Sequence, residues 1–116
     1  MDDHVFDQEI RDLYAAFNRR DSSYVTDRMS PDVTWPRAFK GGTVQGPDAV
    51  RAYWEDQWRE IDPHVEPVEI ERRADGRYDV EVHQVVRDLS GAVLADVIVH
   101  HIYTFDGSEI VSMEIS

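Results

Sequence analysis

The sequence contains no cysteine among its 116 residues and is poor in basic side chains. Without cysteine, the chain has no disulfide framework, no thiolate metal site and no cysteine nucleophile. The 24 acidic residues outnumber the 12 basic ones, which gives a formal net charge of −12. A field of that sign repels nucleic-acid phosphates and anionic lipid headgroups. We therefore expect neither nucleic acid nor a membrane surface as a partner.

Long apolar runs and targeting signals are also missing. The longest uncharged apolar stretch, around Val97–Val99, is far too short to span a bilayer. The start, Met1–His4, lacks the basic residues that open a signal peptide, so we expect a cytoplasmic protein. The length fits one domain covering residues 1–116, and 41% hydrophobic with 31% charged residues is an ordinary globular composition.

The beginning of the chain predicts two helices. Apolar side chains from Phe6 to Phe17 recur at helical spacing and predict a helix over about residues 3–19. Asp21 offers the N-cap of a short second helix, which we expect residues 30–32 to end.

Two short strands and a third helix are predicted next. Residues 33–35 favour a brief strand that Pro36 ends, and residues 43–45 favour another within a glycine-rich arm. Pro47 suits the first turn of a helix, which we expect residues 62–63 to end. One side of this helix is unusually aromatic and carries Val50, Tyr53, Trp54, Trp58 and Ile61.

The second half of the chain changes to a period of two. Four long strands are predicted, over residues 65–72, 78–87, 93–105 and 110–115, with glycine-containing turns between them. Helices followed by an antiparallel meander indicate an α+β fold, in which about three N-terminal helices cover one face of a curved, mostly antiparallel sheet.

The turn at Ser90-Gly91 predicts the register of the two longest strands. A two-residue hairpin there sets Val82 opposite Val99 and Val80 opposite His101. The face that includes these four residues is mostly apolar and suits the floor of a pocket. The opposite face, with Ile98, Ile102 and Val85 among polar residues, suits a homodimer interface.

Four segments resemble the SnoaL-like and ketosteroid-isomerase-like branch of the nuclear transport factor 2-like superfamily: Phe17–Asp21, Met29–Trp35, Gly46–Trp54 and Tyr103–Ile110. The resemblance implies a cone-shaped α+β barrel whose open end holds a small, largely apolar ligand, usually in a homodimer. The superfamily includes isomerases, cyclases, dehydratases, epoxide hydrolases and proteins without catalysis, so the fold alone does not give the function.

The resemblance also suggests which residues to compare with the isomerase site. Arg37 stands about where that branch has its catalytic base, an aspartate, so steroid isomerisation by that route is not expected. His101 stands at the strand position of the oxyanion-holding aspartate, and Leu13 or Tyr14 near the helix tyrosine. We therefore take His101, Arg37 and Tyr14 as candidate catalytic residues.

Each candidate has a chemical role and a plain structural alternative. The imidazole of His101 could exchange protons near neutral pH, or be a hydrogen-bonded core residue. Arg37 could stabilise an enolate or carboxylate, or lie in solvent on its arm. Tyr14 could donate a hydrogen bond to a ligand oxygen, or be a core tyrosine.

Aromatic and apolar residues form the predicted ligand-binding set. Three tryptophans could wall a cavity, or pack helix on sheet without one. The full set is Trp35, Trp54, Trp58, Phe17, Gln84, Val82, Val99 and Tyr103. We expect no metal site and no cofactor. His83, His100 and Glu81 share a face in the predicted register, but cross-strand polar pairing explains them better.

Three functional hypotheses follow from these residues. The first is an enzyme that isomerises, cyclises or dehydrates an apolar, oxygen-bearing molecule, with His101 as acid or base and Arg37 as stabiliser. The second is a non-catalytic module that binds such a molecule. The third is a structural dimer whose cone is filled by its own side chains. An open cavity, and the groups that reach it, distinguish the three.

Overall fold

The computed structural model describes residues 3–37 and 41–116. In these residues the chain forms three helices, which are α1 (Asp3–Asn18), α2 (Ser22–Thr26) and α3 (Pro47–Trp58). It also forms six strands, which are β1 (Met29–Pro36), β2 (Thr43–Gln45), β3 (Ile61–Arg72), β4 (Tyr78–Asp88), β5 (Val93–Asp106) and β6 (Glu109–Ile115). No helix of this part of the chain is long and apolar enough to cross a membrane.

The six strands form one sheet in the order β2-β1-β6-β5-β4-β3. Every neighbouring pair is antiparallel except β1 with β6, which is parallel. The predicted α+β class, with three helices on a mostly antiparallel sheet, is confirmed. The sheet is open rather than a closed barrel, with β2 and β3 at its edges, as in the cone fold of the resemblance.

Two strands begin earlier than the sequence predicted, because prolines that were expected to break structure lie inside them. Pro31 lies in β1, where the pairing with β6 shifts register between Met29 and Thr34. Pro63 pairs with Val86 in the edge strand β3. Proline has no N–H to donate, so it is tolerated at bulges and on edge strands.

The register predicted for the longest hairpin is confirmed. Val82 pairs with Val99, and Val80 pairs with His101. The two faces are less uniform than expected, because Ile102 on the outer face is buried whereas Ile98 is 55% exposed.

The end of α1 is held by an arginine in a position that usually belongs to glycine. Arg20 has φ +66°, and the bonds from Arg20 N to Phe17 O (3.0 Å) and from Asp21 N to Ala16 O (2.9 Å) form a Schellman motif. The Arg20 guanidinium donates to Pro63 O (2.9 Å) and to the Asp62 carboxylate. These contacts hold the end of α1 against the start of β3. They also offset the strain of the positive φ at Arg20, which a glycine would adopt without strain.

Candidate functional site

A cavity opens between the helices and the inner face of the sheet. It holds about 80 Å³ of space for water-sized molecules, and about 670 Å³ when the open mouth and the space up to the surrounding atoms are counted. Its lining comes from all three helices and from five strands: Leu13, Tyr14, Phe17, Val25, Trp35, Pro36, Tyr53, Trp54, Gln57, Pro63, Val65, Gln84, His101, Tyr103, Met113 and Ile115.

Helix α1 supplies one wall of the cavity. Phe17 lies four residues after Leu13 and three after Tyr14, so all three side chains are on the helix face that lines the cavity. Asn18, one residue further, clamps this end of the helix to β3, because its side-chain amide donates to Val65 O (2.8 Å) and accepts from Val65 N (2.9 Å). The wall is therefore fixed to the sheet where it meets the cavity.

Three polar side chains form a buried hydrogen-bonded chain at the inner end of the cavity. The Tyr103 hydroxyl donates to the Tyr14 hydroxyl across 2.8 Å, and the Tyr14 hydroxyl lies 2.8 Å from His101 Nδ1. His101 and Tyr103 point the same way because they are two residues apart on β5. Helix α1 brings Tyr14 down onto them.

Burial changes the proton affinity of all three groups. Desolvation lowers the pKa of His101 to about 4, and the neighbouring His100 adds a smaller effect in the same direction. Desolvation is also the largest cause that raises the pKa of Tyr14, followed by its neighbour Tyr103. Burial raises the pKa of Tyr103, against the opposing effect of its hydrogen bond to Tyr14. At pH 7 the chain is therefore uncharged.

The direction of the chain decides which nitrogen of His101 carries the proton. With Tyr103 donating to Tyr14, the Tyr14 proton is directed at His101 Nδ1, which accepts it; in the opposite direction His101 Nδ1 donates to Tyr14. A neutral imidazole has one N–H, and with Nδ1 accepting, that proton is on Nε2. The Nε2 of His101 is thus a donor in the first direction and an acceptor in the second.

An aromatic cluster forms the opposite wall. Trp54 meets Trp35 with ring centroids 5.5 Å apart and Phe17 at 5.3 Å, both nearly perpendicular. Trp58 packs behind Trp54 at 6.2 Å and is not part of the lining. The Arg20 guanidinium lies 5.2 Å from the Trp58 ring. Two of the three tryptophans therefore meet the cavity, and the third supports them.

The structure places Arg37 outside the cavity lining. Its Nε donates to Gly41 O (2.9 Å), and its main chain exchanges hydrogen bonds with Gly41 and Gly42. The Arg37 side chain is therefore engaged by Gly41, and His101 and Tyr14 meet in the cavity without it.

The predicted ligand-binding residues divide between lining and core. Gln84 lines the cavity beside Phe17, Trp35, Trp54 and Tyr103. The three that do not line it differ in position: Val82 is fully buried in the core, whereas Val99 and Trp58 are partly buried and pack against it.

Sequence reasoning missed a polar residue of the third helix. Gln57 lines the cavity, and its amide donates to the Tyr53 hydroxyl across 3.2 Å. It lies three residues after Trp54 and four after Tyr53, so helical spacing places it on the same face. That spacing was the available signal. That side of the helix is unusually aromatic in sequence, and the predicted set did not include Gln57.

The lining carries no Asp, Glu, Lys or Arg within residues 3–37 and 41–116. In that part of the chain no three His, Asp or Glu side chains come together to hold a metal ion. The outer histidines form cross-strand pairs instead: His83 Nε2 lies 2.6 Å from Asp96, and His100 Nδ1 lies 2.7 Å from Asp79.

Known proteins share this architecture. An NTF2-like protein of unknown function from Burkholderia pseudomallei is 27% identical and aligns over 100% of this chain and 91% of its own, with a TM-score of 0.82. TerC, crystallised with polyporic acid, is 24% identical over 90% and 84% of the two chains, with a TM-score of 0.77. A proposed polyketide cyclase from Sinorhizobium meliloti is 19% identical over 89% and 88%, with a TM-score of 0.74.

No curated protein sequence matches the chain. The model of the SnoaL-like domain, however, matches residues 10–113, which include every residue of the cavity lining except Ile115. That match and the three-helix, six-strand fold agree with the resemblance carried by the sequence motifs. This protein therefore belongs to the SnoaL-like family of the NTF2-like superfamily.

Proposed function

We propose that this protein binds a small, uncharged, mainly apolar ring compound and donates the His101 Nε2–H to its carbonyl oxygen. The observation that carries the proposal is the Tyr103–Tyr14–His101 chain, which engages Nδ1 inside the protein and leaves Nε2 for a ligand. A carbonyl oxygen is the simplest acceptor for one uncharged donor. The apolar ring would lie against Trp35 and Trp54.

The absence of charged side chains from the described lining supports an uncharged ligand. A buried carboxylate or ammonium would need a counter-ion, and the described lining offers none. Two structural neighbours support a small-molecule ligand, because TerC was crystallised with polyporic acid and another is a proposed polyketide cyclase.

Acetophenone and ethylbenzene test this proposal, because they share a ring and differ in the carbonyl. Binding is measured by calorimetry and by tryptophan fluorescence, since Trp35 and Trp54 line the cavity. We expect acetophenone to bind more tightly, and His101→Leu to lower its affinity about three- to tenfold, as the loss of one neutral hydrogen bond. His100→Gln, on the outer face, is the control and should leave the affinity for acetophenone unchanged. Equal binding of the two probes would refute the proposal.

Proton transfer next to the carbonyl is the second candidate function. It is favoured by the same chain, because each hydroxyl can both donate and accept. When the direction of the chain reverses, His101 Nδ1 carries the proton and Nε2 has a free lone pair. The imidazole then presents to the ligand a base instead of a donor, as the hypothesis of an isomerase or cyclase requires.

Deuterium exchange distinguishes catalysis from binding. In D₂O, an enzyme of this kind would remove a methyl proton of acetophenone and return a deuteron, which NMR detects without a known substrate. Catalysis predicts exchange above the buffer rate that His101→Gln lowers by about 10²–10⁴-fold. Binding without exchange identifies a binding module.

A further inference from the structure

A second, mainly apolar hollow lies beside the cavity and shares two lining residues with it. It has about 320 Å³ of space for water-sized molecules. Its lining comes from α3, the segment after it and three strands: Tyr53, Gln57, Glu60, Ile61, Val86, Leu94 and Ala95. We call these residues the outer groove. Tyr53 and Gln57 belong to both linings, so the two spaces share one wall.

The floors of the two spaces are also continuous. On β4, Gln84 lies under the cavity, and Val86, two residues further on the same face, lies under the outer groove. Strand β3 runs beside them in the same way, since Pro63 of the cavity pairs with Val86. Ala95 of β5 pairs with Val86 from the other side. Alternate residues of the three strands therefore form one surface.

The sizes of the two spaces indicate how a ligand is divided between them. The cavity, at about 80 Å³, lies below the ~300–1,000 Å³ usual for ligand pockets. The groove is larger and holds Leu94, whose side chain is 59% exposed. Contiguous exposed apolar surface marks interaction sites, among them ligand-binding grooves.

We infer that the outer groove is a second subsite of the same ligand, and that it takes an aliphatic extension of the carbonyl-bearing ring. This inference rests on the proposed function. The shared wall at Tyr53 and Gln57 makes the two subsites parts of one site. The extension ends beside Glu60, so a carboxylate at its tip is disfavoured by charge repulsion.

A series of 4′-alkylacetophenones tests the inference, because the ring and carbonyl stay constant while the chain grows. We expect affinity to rise about two- to fourfold for each methylene that the groove buries, up to about four carbons. Ala95→Trp fills the floor of the groove and should remove this rise while acetophenone binds as before. Ala92→Trp makes the same change at an exposed position of the same hairpin and should keep the rise.

Leu94→Ser is the second variant, because Leu94 is exposed and its replacement should not prevent folding. It should lower the gain in affinity per methylene.

The charge of the tip is tested with 4-(4-acetylphenyl)butanoate, which should bind more weakly than 4′-butylacetophenone. Glu60→Gln should narrow that gap, and Glu55→Gln, exposed on α3 outside both linings, should not.

The outcomes separate the two proposals. Failure of acetophenone to bind in preference to ethylbenzene overturns the proposed function. The outer groove alone is overturned in two cases in which acetophenone still binds in preference to ethylbenzene. In the first, the affinity of the 4′-alkylacetophenones does not depend on chain length. In the second, their affinity rises with chain length in both Ala95→Trp and Leu94→Ser.

Discussion

The Tyr14 hydroxyl lies 2.8 Å from His101 Nδ1, and this contact joins two residues that are 87 positions apart in the chain. It engages Nδ1 of an uncharged histidine inside the protein and leaves Nε2 as the nitrogen available to a ligand. The contact also explains why burial of His101 is tolerated, because one ring nitrogen is satisfied inside the protein. The chemistry of the site therefore depends on a helix residue that need not touch the ligand's reacting atoms.

Tyr14→Phe should remove the hydrogen bond that sets the tautomer of His101. His101 Nδ1 and the Tyr103 hydroxyl would both lose a buried partner, so we expect the free energy of unfolding to fall by about 1–3 kcal/mol. Nitrogen NMR of the imidazole should change from one tautomer to a mixture, and urea unfolding gives the stability. Tyr24→Phe, on α2 and only partly buried, is the control. An unchanged tautomer in Tyr14→Phe would show that Tyr14 does not set it.

Acid should destabilise the fold through His101. Its pKa is lowered to about 4 from the ordinary value near 6.5, so on acidification the unfolded chain takes up the proton first. Stability should therefore fall as the pH drops from about 6.5 to about 4, by on the order of 3 kcal/mol. His101→Gln should flatten this slope in urea unfolding measured across the pH range. A wild-type slope retained in the variant would contradict the assignment.

His100 should act in the opposite direction and so serves as an internal comparison. Its hydrogen bond to Asp79 raises the pKa of His100, so the stability it contributes is present below the unfolded value and is lost as pH rises through the folded value. His100→Gln should remove a slope above pH 6.5 and change the acid slope only slightly, because His100 adds only the smaller effect to the pKa of His101. The two variants therefore report on different parts of one pH curve.

Trp54→Ala should test how far the aromatic cluster supports the fold as well as the cavity. Trp54 is 4% exposed and contacts Phe17, Trp35 and Trp58. We expect a loss of about 3–5 kcal/mol in thermal or urea unfolding, together with weaker acetophenone binding. A smaller loss with weaker binding would mean that Trp54 serves mainly as cavity wall. No change in either would contradict its place in the core.

We propose that two copies associate through the outer face of the sheet. Ile98 is 55% exposed there, and its cross-strand partner His83 contacts Asp96. Light scattering at micromolar concentration should give a dimer mass, and Ile98→Glu should give a monomer. Val68→Glu, an equally exposed site on β3, is the control. A monomeric wild type would refute the proposal.

Much of the fold could be predicted because local patterns specify it. The apolar spacing from Phe6 to Phe17 defines α1, and the Ser90-Gly91 turn sets the register of β4 with β5. The strand starts at Met29 and Ile61 could not be predicted, because proline tolerance depends on where a strand lies in the sheet. That position is decided by pairing with distant residues.

The candidate site divides in the same way. The sequence by itself determined that His101, Tyr103 and Val99 share one face of a strand, because side chains alternate with a period of two. Only the tertiary structure decided that Tyr14 lies on His101 Nδ1, that Arg37 turns back to Gly41, and that Gln57 joins two hollows. The physical reason is that alternation and helical spacing act over a few residues. The tautomer of an imidazole and the limits of a cavity are set instead by contacts between elements that only the packed chain brings together.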